Sequence, residues 1–426
     1  MRLVKHFLGA IAALCVGVVY ICAFIFLRLT RWLKPRRRTV QPGRRLRVLL
    51  LGRVDSQNWC RAHLDPIARS EAVEKVLALI DGPVTVSEKV TLILVPPTFS
   101  RLFKRQLARI LWAAWIAFRQ KPDVIIGYSF LPNALWSALL ARITGAAAFY
   151  QMTGGPLEIT SAGGFAKERG PLLVTDRLKA VLARLAGWIL PNFDAVIVRG
   201  GQAQAFVRKL APDVEVNIIA GGVDESRFPS MGGDRDIDIT FLGRIVGVKQ
   251  PVHVVEVAAR VLARRPETQV VIAGSGPLLP EVQAAAERLG VANQIKFPGH
   301  VEKIGELLSR TRIFILTSRS EGLSIALAEA MIAGAVPVVV DVGDLGELVK
   351  SGSTGWLVPV DDFDTHARRI LEVLESASEW ARLSANGREA ALDFNGLSGV
   401  ANRWTCCFSQ IFPDLVLGSE HGSAAI

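Results

Sequence analysis

The segment SEGLSIALAEAM (residues 320–331) holds two carboxylates whose spacing suits one ligand. Glu321 and Glu329 stand eight positions apart among small and apolar residues. Strand-like runs flank the segment, so we predict a crossover helix with Ser324 as its N-cap. Free amides at a helix start attract an anion such as a phosphate, whereas carboxylates accept hydrogen bonds from hydroxyls. Two interpretations follow: the segment binds a nucleotide sugar, or it holds one helix-start glutamate and one buried salt bridge.

Two cations, Arg244 and Lys249, follow a strand-like run that ends at Gly243 in FLGRIVGVKQP (241–251). They stand five positions apart on a loop that opens a predicted helix. Arginine binds phosphate oxygens through two parallel hydrogen bonds and lysine adds a point charge, so the pair suits a diphosphate. Surface Arg/Lys pairs are common, so this pair alone is weak evidence.

Glycines follow two further strand-like runs. Gly274 and Gly276 form the turn of AGSGP, where the backbone can approach a ligand closely. A dinucleotide fingerprint would need a third glycine, but Leu279 stands there, so we predict no NAD or FAD site. Gly299 ends a short strand whose loop can pass a nucleobase edge. His300 beside it is a candidate base, although a lone histidine is more often a surface or polar-core residue.

The elements that must position these residues alternate between short β-branched runs and helical stretches. Continuous apolar strands separated by helices are typical of parallel sheets covered on both faces. We therefore predict an α/β protein of two facing Rossmann-like, doubly wound domains, with ligands outside the carboxyl ends of the strands. The predicted boundaries are an N-terminal domain over 46–228, a linker over 229–237, a C-terminal domain over 238–395, and a terminal helix and tail over 396–426.

Residues 1–45 are predicted to be a membrane anchor with a basic juxtamembrane segment. The run Phe7–Leu27 has 21 residues and no charge, enough to cross a bilayer as a helix. Eight Lys/Arg lie between Arg28 and Arg45, against two before the run. The positive-inside rule then predicts a single-pass protein of the cytoplasmic (inner) membrane with its domains on the cytoplasmic face. A signal peptide or a buried core helix is the alternative.

The overall basic charge does not indicate nucleic-acid binding. Residues 1–47 hold eleven of the 50 Lys/Arg and no Asp or Glu, which leaves 39 basic residues to balance the 39 acidic ones. The segment RLFKRQLARILWAAWIAF (101–118) has basic and aromatic residues that can share one face. It is either an interfacial helix or a sheet-covering helix with a solvated charged face.

No metal site and no cofactor are predicted. The five cysteines and six histidines show neither a disulfide framework nor a zinc spacing, and no clear Asp-x-Asp metal motif occurs.

Taken together, these motifs resemble a known family. The chain contains, in order, GGVDESRF, Gly-Arg followed five positions later by Lys, AGSGP, F-x-G, two glutamates separated by seven residues before AMIAGAVPVV, and SGSTGWLVPVDD. This series is similar to the retaining glycosyltransferases of glycosyltransferase family four (glycosyl transferases group 1), which have the two-domain GT-B fold. The resemblance covers about residues 46–412.

The resemblance implies transfer of a sugar, with its anomeric configuration kept, from a nucleoside diphosphate sugar and without a metal. Arg244 and Lys249 would neutralise the leaving diphosphate. Glu321 would hold hydroxyls of the donor sugar, and Glu329 those of the ribose. The amides around Gly322, Leu323 and Ser324 would face the diphosphate.

The N-terminal half departs from the family pattern. GYSFLPN (127–133) stands where many members have a histidine, and the first-strand loop lacks the usual glycine pair. These departures put the acceptor in doubt. We expect a UDP-sugar donor first, a GDP-sugar second, and a lipid-linked saccharide or polysaccharide acceptor in cell-envelope or exopolysaccharide synthesis. A nucleotide-sugar 2-epimerase of the same fold and a non-catalytic scaffold are the alternatives.

Overall fold

The structure is a computed structural model, and it describes residues 22–30, 40–41, 43–52, 56–80, 84–103, 105–160, 175–228 and 235–415. Two parallel sheets, each covered by helices, form two α/β domains. The predicted α/β class with two such domains is therefore confirmed.

The first sheet has seven parallel strands in the order β3-β2-β1-β4-β5-β6-β7. Alternate strand residues point to opposite faces, so each strand contributes to two apolar layers, one on each side of the sheet. The strands are β1 (Leu46–Leu51), β2 (Val73–Ile80), β3 (Val90–Leu94), β4 (Val124–Tyr128), β5 (Ala147–Gln151), β6 (Ala195–Val198) and β7 (Val216–Ile218).

Helices cover both faces of this sheet. Helices α1, α5, α6, α8 and α9 pack on one face, and α2 and α3 pack on the other. Besides short single turns, the helices of this domain are α1 (described over 22–30), α2 (Gln57–His63), α3 (Asp65–Arg69), α4 (Pro97–Phe103), α5 (Arg105–Gln120), α6 (Leu135–Thr144), α7 (Pro156–Thr160), α8 (Asp176–Ile189) and α9 (Gly201–Leu210).

The second sheet has six parallel strands in the order β10-β9-β8-β11-β12-β13. Its strands are β8 (Ile237–Leu242), β9 (Val270–Ala273), β10 (Ile295–Gly299), β11 (Thr311–Leu316), β12 (Val336–Val340) and β13 (Trp356–Val358). The helices around it are α10 (Pro251–Leu262), α11 (Leu279–Arg288), α12 (Ile304–Ser309), α13 (Ile325–Ile332), α14 (Phe363–Glu375) and α15 (Ala377–Asn395).

The last helix, α16 (Leu397–Ile411), returns to the first domain. Trp404 and Phe408 are buried in the apolar layer beneath α2 and α3. The Ser70 and Thr405 hydroxyl oxygens, 2.8 Å apart, form a hydrogen bond between the helix and this domain. Residues 229–234 of the predicted linker lie outside the described residues.

Most of the predicted membrane span, residues 7–21, also lies outside the described residues. Its last six residues belong to α1, where Ala23 and Leu27 are buried against the first domain. Among the helices that the structure describes, none has the length and apolarity needed to cross a membrane.

Two strands were not predicted. β2 reads VEKVLALI, whose apolar residues Val73, Val76, Leu77 and Ile80 follow helical spacing. This segment is a strand because it lies between β1 and β3 and pairs with both. The short edge strand β7 has too few residues for a clear pattern.

Candidate functional site

A cavity of about 440 Å³ lies between the two domains, at the carboxyl ends of strands from both sheets. The second domain supplies most of its walls. Nine of the predicted site residues line it: Gly243, Arg244, Lys249, Gly274, Glu321, Gly322, Leu323, Ser324 and Glu329. Gly276 and Gly299 do not line it. The structure therefore brings these nine residues of the predicted donor site together in one cavity.

Lys249 and Glu321 meet in this cavity. Lys249 ends a single turn after β8, and Glu321 lies in the loop between β11 and α13. The Lys249 ammonium Nζ lies 2.5 Å from Glu321 Oε1, and the Ser318 hydroxyl donates to the same oxygen over 2.6 Å. Both charged side chains are largely buried. This ion pair holds a cation and an anion side by side where a charged ligand can bind.

Arg244 differs from Lys249. Its side chain is exposed at the cavity rim and makes no hydrogen bond or ion pair with another described residue. A guanidinium in this position keeps all its donors available for an anion.

The glycine turns bring three backbone segments close together. A Cβ on Gly274 would lie 1.8 Å from the carbonyl oxygen of Gly243, and one on Gly276 would lie 2.2 Å from that of Ile245. Only glycine fits such an approach. The Gly274 amide also donates to the carbonyl of Gly299 over 2.7 Å. Gly276 and Gly299 thus shape the loops that hold the cavity wall.

The start of α13 is capped as predicted. The Ser324 hydroxyl accepts a hydrogen bond from the Leu327 amide, and the helix runs Ile325–Ile332. Gly322, Leu323 and Ser324 line the cavity just before the helix. Eight residues of aligned peptide dipoles place partial positive charge at this end, which favours an anion there.

Glu329 takes part in a buried ion pair and also lines the cavity. It lines the cavity, and its Oε1 lies 3.6 Å from the Arg227 guanidinium. Burial raises its pKa to about 7, although the Arg227 and Arg61 charges act in the opposite direction. A buried ion pair exists, as the alternative interpretation expected, and the same carboxyl faces the cavity.

Arg199 and His63 of the first domain also line the cavity and were not predicted from the sequence. Arg199 follows β6, and its Nη1 donates to the Leu323 carbonyl across the cleft over 3.1 Å. Its Nη2 lies 2.6 Å from His63 Nε2. A guanidinium only donates, so Nε2 accepts and the neutral ring carries its proton on Nδ1. The position of Arg199 directly after a strand was the one signal available.

Burial disfavours the charged form of both Arg199 and His63. It lowers the pKa of His63 well below the ordinary value, and the Arg199 charge adds to that effect. The Arg199 Nε and the hydroxyl of nearby Tyr128 are buried without a hydrogen-bond partner among the described residues. Buried polar groups of this kind are costly and are frequent at functional sites.

A buried carboxylate, Glu158, organises the loop that faces Glu321. Its Oε2 accepts from the amides of Thr153 and Gly154 over 2.9 and 2.8 Å, and its Oε1 accepts from the Tyr150 hydroxyl over 2.8 Å. The loop packs tightly on Gly322, since a Cβ there would lie 2.7 Å from the Thr153 carbonyl oxygen. Glu158 therefore fixes the first-domain wall of the cleft.

Two carboxylates of the second domain cap a helix of the first. Asp344 Oδ1 accepts from the Gln202 amide over 3.0 Å, and Glu347 Oε1 accepts from the Gly201 amide over 2.7 Å. Helix α9 starts there and has no side-chain cap of its own. The two domains are thus held together beside the cleft.

His300 is exposed at the cavity rim. Among the described residues, no group of three or more His, Cys, Asp or Glu side chains could hold a metal ion.

Parts of the chain are similar to known proteins, several of which are named as glycosyltransferases. Residues 223–390 match the family described as Glycosyl transferases group 1. The Vi polysaccharide biosynthesis protein VipC/TviE of Salmonella typhi is 35% identical over 33% of this chain and 24% of its own length. The alpha-maltose-1-phosphate synthase of Mycolicibacterium smegmatis is 27% identical over 74% of this chain and 77% of its own. The chain spans less than half the length of several curated relatives that it matches.

The fold has solved counterparts. Anabaena Alr3699/HepE, crystallised with UDP-glucose, superimposes with a TM-score of 0.66 over 86% of this chain and 100% of its own, at 18% identity. That identity establishes the fold alone. The chain therefore contains a region similar to glycosyl transferases group 1, and its two domains have the fold of the solved GT-B proteins.

Proposed function

We propose that the protein is a retaining glycosyltransferase that moves a sugar from a nucleoside diphosphate sugar, UDP-sugar before GDP-sugar, to a lipid-linked saccharide or polysaccharide. The observation that carries the proposal is the cavity in which Arg244, Lys249, Glu321 and Glu329 meet at the start of α13. The solved counterpart with UDP-glucose bound makes a UDP-sugar the first candidate.

The leaving diphosphate is the group that Arg244 and Lys249 would stabilise. Breaking the glycosidic bond places negative charge on the diphosphate, and preorganised donors at developing charge are typically worth about 10²–10³ in rate per group. On donor binding, Lys249 Nζ would exchange its contact with Glu321 for a phosphate oxygen. Glu321 would then accept hydrogen bonds from the sugar hydroxyls, and the α13 amides would face the phosphates.

The nucleoside end would lie at Glu329. Ribose hydroxyls donate to a carboxylate, and Arg227 would keep the second side of that carboxylate occupied. In this arrangement Glu321 and Glu329 would each bind hydroxyls at one end of the donor, and the diphosphate would lie between them.

Retention is proposed because of what the first-domain wall lacks. The described residues that it contributes to the cavity are Ser56, Asn58, Trp59, His63, Thr153 and Arg199. Among the described residues this wall offers no carboxylate to act as a nucleophile or as the general base that attack from the opposite face would use, which favours attack by the acceptor on the face that the diphosphate leaves. No metal is proposed, because two cations already face the diphosphate position.

Contacts between the two domains support transfer to a sugar hydroxyl instead of water. Arg199, Asp344 and Glu347 join the two domains beside the cavity. Excluding water protects a reactive donor from hydrolysis.

We further propose that the chain is a single-pass protein of the cytoplasmic membrane with its domains on the cytoplasmic face, acting in cell-envelope or exopolysaccharide synthesis. The support for this proposal is the sequence, in which basic residues follow the uncharged run 7–27; of that run, the structure describes residues 22–27, which belong to α1 on the first domain. A tether also raises the local concentration of a lipid-linked acceptor.

The test is product analysis by mass spectrometry. The full chain is incubated with a membrane extract and a panel of nucleotide sugars, with the Lys249→Ala variant as background. The proposal predicts a membrane lipid or glycan heavier by one sugar with one UDP-sugar, and release of UDP. Conversion of UDP-GlcNAc to its epimer without an acceptor would instead identify a 2-epimerase, and no turnover with any donor would favour a scaffold.

A further inference from the structure

Exposed apolar side chains are concentrated in the first domain. Every large hydrophobic residue that the described part of the chain exposes lies between residues 25 and 188. They are Ile25, Phe26, Leu29, Leu94, Leu111, Trp115, Phe118, Ile143, Leu157, Leu178, Val181 and Trp188. The described part of the second domain, which is of similar size, exposes none. Such a patch on one domain indicates an interaction surface.

Most of these residues lie on one side of the molecule. Helices α1, α5, α6 and α8 all pack on the same face of the first sheet, so their outward sides point the same way. Contacts tie neighbouring helices together: the rings of Phe24 and Trp188 are 5.5 Å apart, and Arg142 Nη2 donates to the Thr30 carbonyl over 2.7 Å. We call the outward sides of α1, α5 and α8 the apolar face.

The apolar face carries large aromatic residues. Trp115 and Phe118 of α5 are about half exposed, and Trp188 of α8 is 41% exposed. Trp112 stacks on Trp115 with ring centroids 4.8 Å apart. Tryptophan and phenylalanine on one side of a helix are typical of helices that lie in the headgroup region of a bilayer.

Its charges are almost all positive. The exposed charged side chains of the described parts of α1, α5 and α8 are Arg28, Arg119, Arg177, Lys179 and Arg184, against the single acid Asp176. α1 and α5 contain no acidic residue in these ranges. Basic residues next to aromatic ones match a surface of anionic phospholipids, which attracts each nearby cation.

We propose that the apolar face rests on an anionic phospholipid bilayer, with α5 and α8 in its headgroup region. The chain itself supplies a second reason, because the uncharged residues 7–21 join this face directly at Cys22. α1 is packed on the domain through Ala23 and Leu27, so no free linker separates a membrane-inserted segment from this face. The proposal rests on the surface of the first domain and not on the proposed catalysis.

Two other occupants are conceivable: residues 7–21 folded back on the face, or a second copy of the chain. An apolar segment would bury the aromatic rings but would bring no acidic partner to the basic side chains, of which Lys179 alone pairs with an acid, Asp176, among the described residues. A second copy would place two sets of like charges against each other. The charge pattern favours a lipid surface over both.

The test uses lipids brominated in their acyl chains close to the headgroup, which quench tryptophan fluorescence on contact. The full chain is reconstituted in vesicles of phosphatidylcholine and phosphatidylglycerol, with and without bromolipid. Three proteins are compared: the unaltered chain, the Trp115→Phe/Trp188→Phe double variant, and a matched control, Trp356→Phe/Trp380→Phe, altered in the second domain.

The proposal predicts that the first double variant loses most of the bromolipid-quenched fluorescence and that the control retains it. It also predicts less quenching when phosphatidylglycerol is omitted. Equal quenching in the two double variants would overturn the proposal. So would fluorescence of Trp115 and Trp188 that bromolipid does not quench, which is the result expected if a folded-back segment or a second copy covers the face. The readout does not depend on catalysis, so an inactive enzyme would leave it intact.

Discussion

Replacing Glu329 by glutamine is expected to remove a pH dependence from the stability of the folded chain. The carboxyl is buried beside Arg227, and its pKa is raised from 4.5 to about 7. Between these values the folded chain keeps a proton that the unfolded chain releases. Stability therefore falls as the pH rises from about 4.5 to about 7 and is level above that.

The size of this effect follows from the pKa difference. One pKa unit corresponds to about 1.4 kcal/mol, so a rise from 4.5 to about 7 amounts to about 3 kcal/mol. The stabilisation is fully present below about pH 4.5 and lost through about pH 7. Glutamine keeps an acceptor oxygen for Arg227 and does not titrate in this range.

Urea unfolding between about pH 4.5 and pH 7.5 measures the difference. Relative to the unaltered chain, Glu329→Gln should gain about 3 kcal/mol of stability across this range, whereas the exposed control Glu287→Gln should follow the unaltered chain. Parallel curves for Glu329→Gln and the unaltered chain would refute the account of a buried, titrating Glu329. A separate titration with UDP-glucose should show about tenfold weaker binding at pH 6 than at pH 8, because ribose hydroxyls donate to the ionised form.

Three further changes have defined outcomes. Lys249→Ala should lower single-turnover transfer by about a hundredfold or more with folding retained, and the exposed control Lys303→Ala should not; equal rates would exclude Lys249 from the leaving-group site. Glu158→Ala should lower the free energy of unfolding by about 1–3 kcal/mol for each donor left unpaired. Glu158→Gln keeps an acceptor oxygen and should lower it less, and denaturant unfolding curves that rank the two variants otherwise would contradict the role of Glu158 in the loop. Asp344→Ala combined with Glu347→Ala should lower the free energy of unfolding by about 1 kcal/mol per lost cap and raise the KM for the donor. An unchanged melting temperature and KM would show that the two domains do not need these caps.

The sequence predicted the parallel sheets well because fully buried strands form continuous β-branched runs, as in β12 (Val336–Val340). It failed at β2, where apolar residues with helical spacing form a strand between two partners. Local patterns do not reveal which neighbour a segment will pair with.

The second-domain wall of the cleft was predictable because its residues lie at strand ends or helix starts. The first-domain wall was not, because its contacts depend on how the two domains pack. Arg199 and Leu323 are 124 positions apart in the chain, and His63 and Arg199 are 136 apart. The contact between Lys249 and Glu321 was also not predicted, because the spacing of a motif suggests a role for each residue and does not show which residues touch each other.

The most direct test of the central claim is a crystal structure of the chain with UDP bound. The account predicts the diphosphate in contact with Arg244 and Lys249 at the start of α13, the ribose hydroxyls on Glu329, and Lys249 Nζ moved from Glu321 to a phosphate oxygen. UDP bound outside the cleft, or bound in it with the Lys249–Glu321 pair intact and the ribose away from Glu329, would contradict the account.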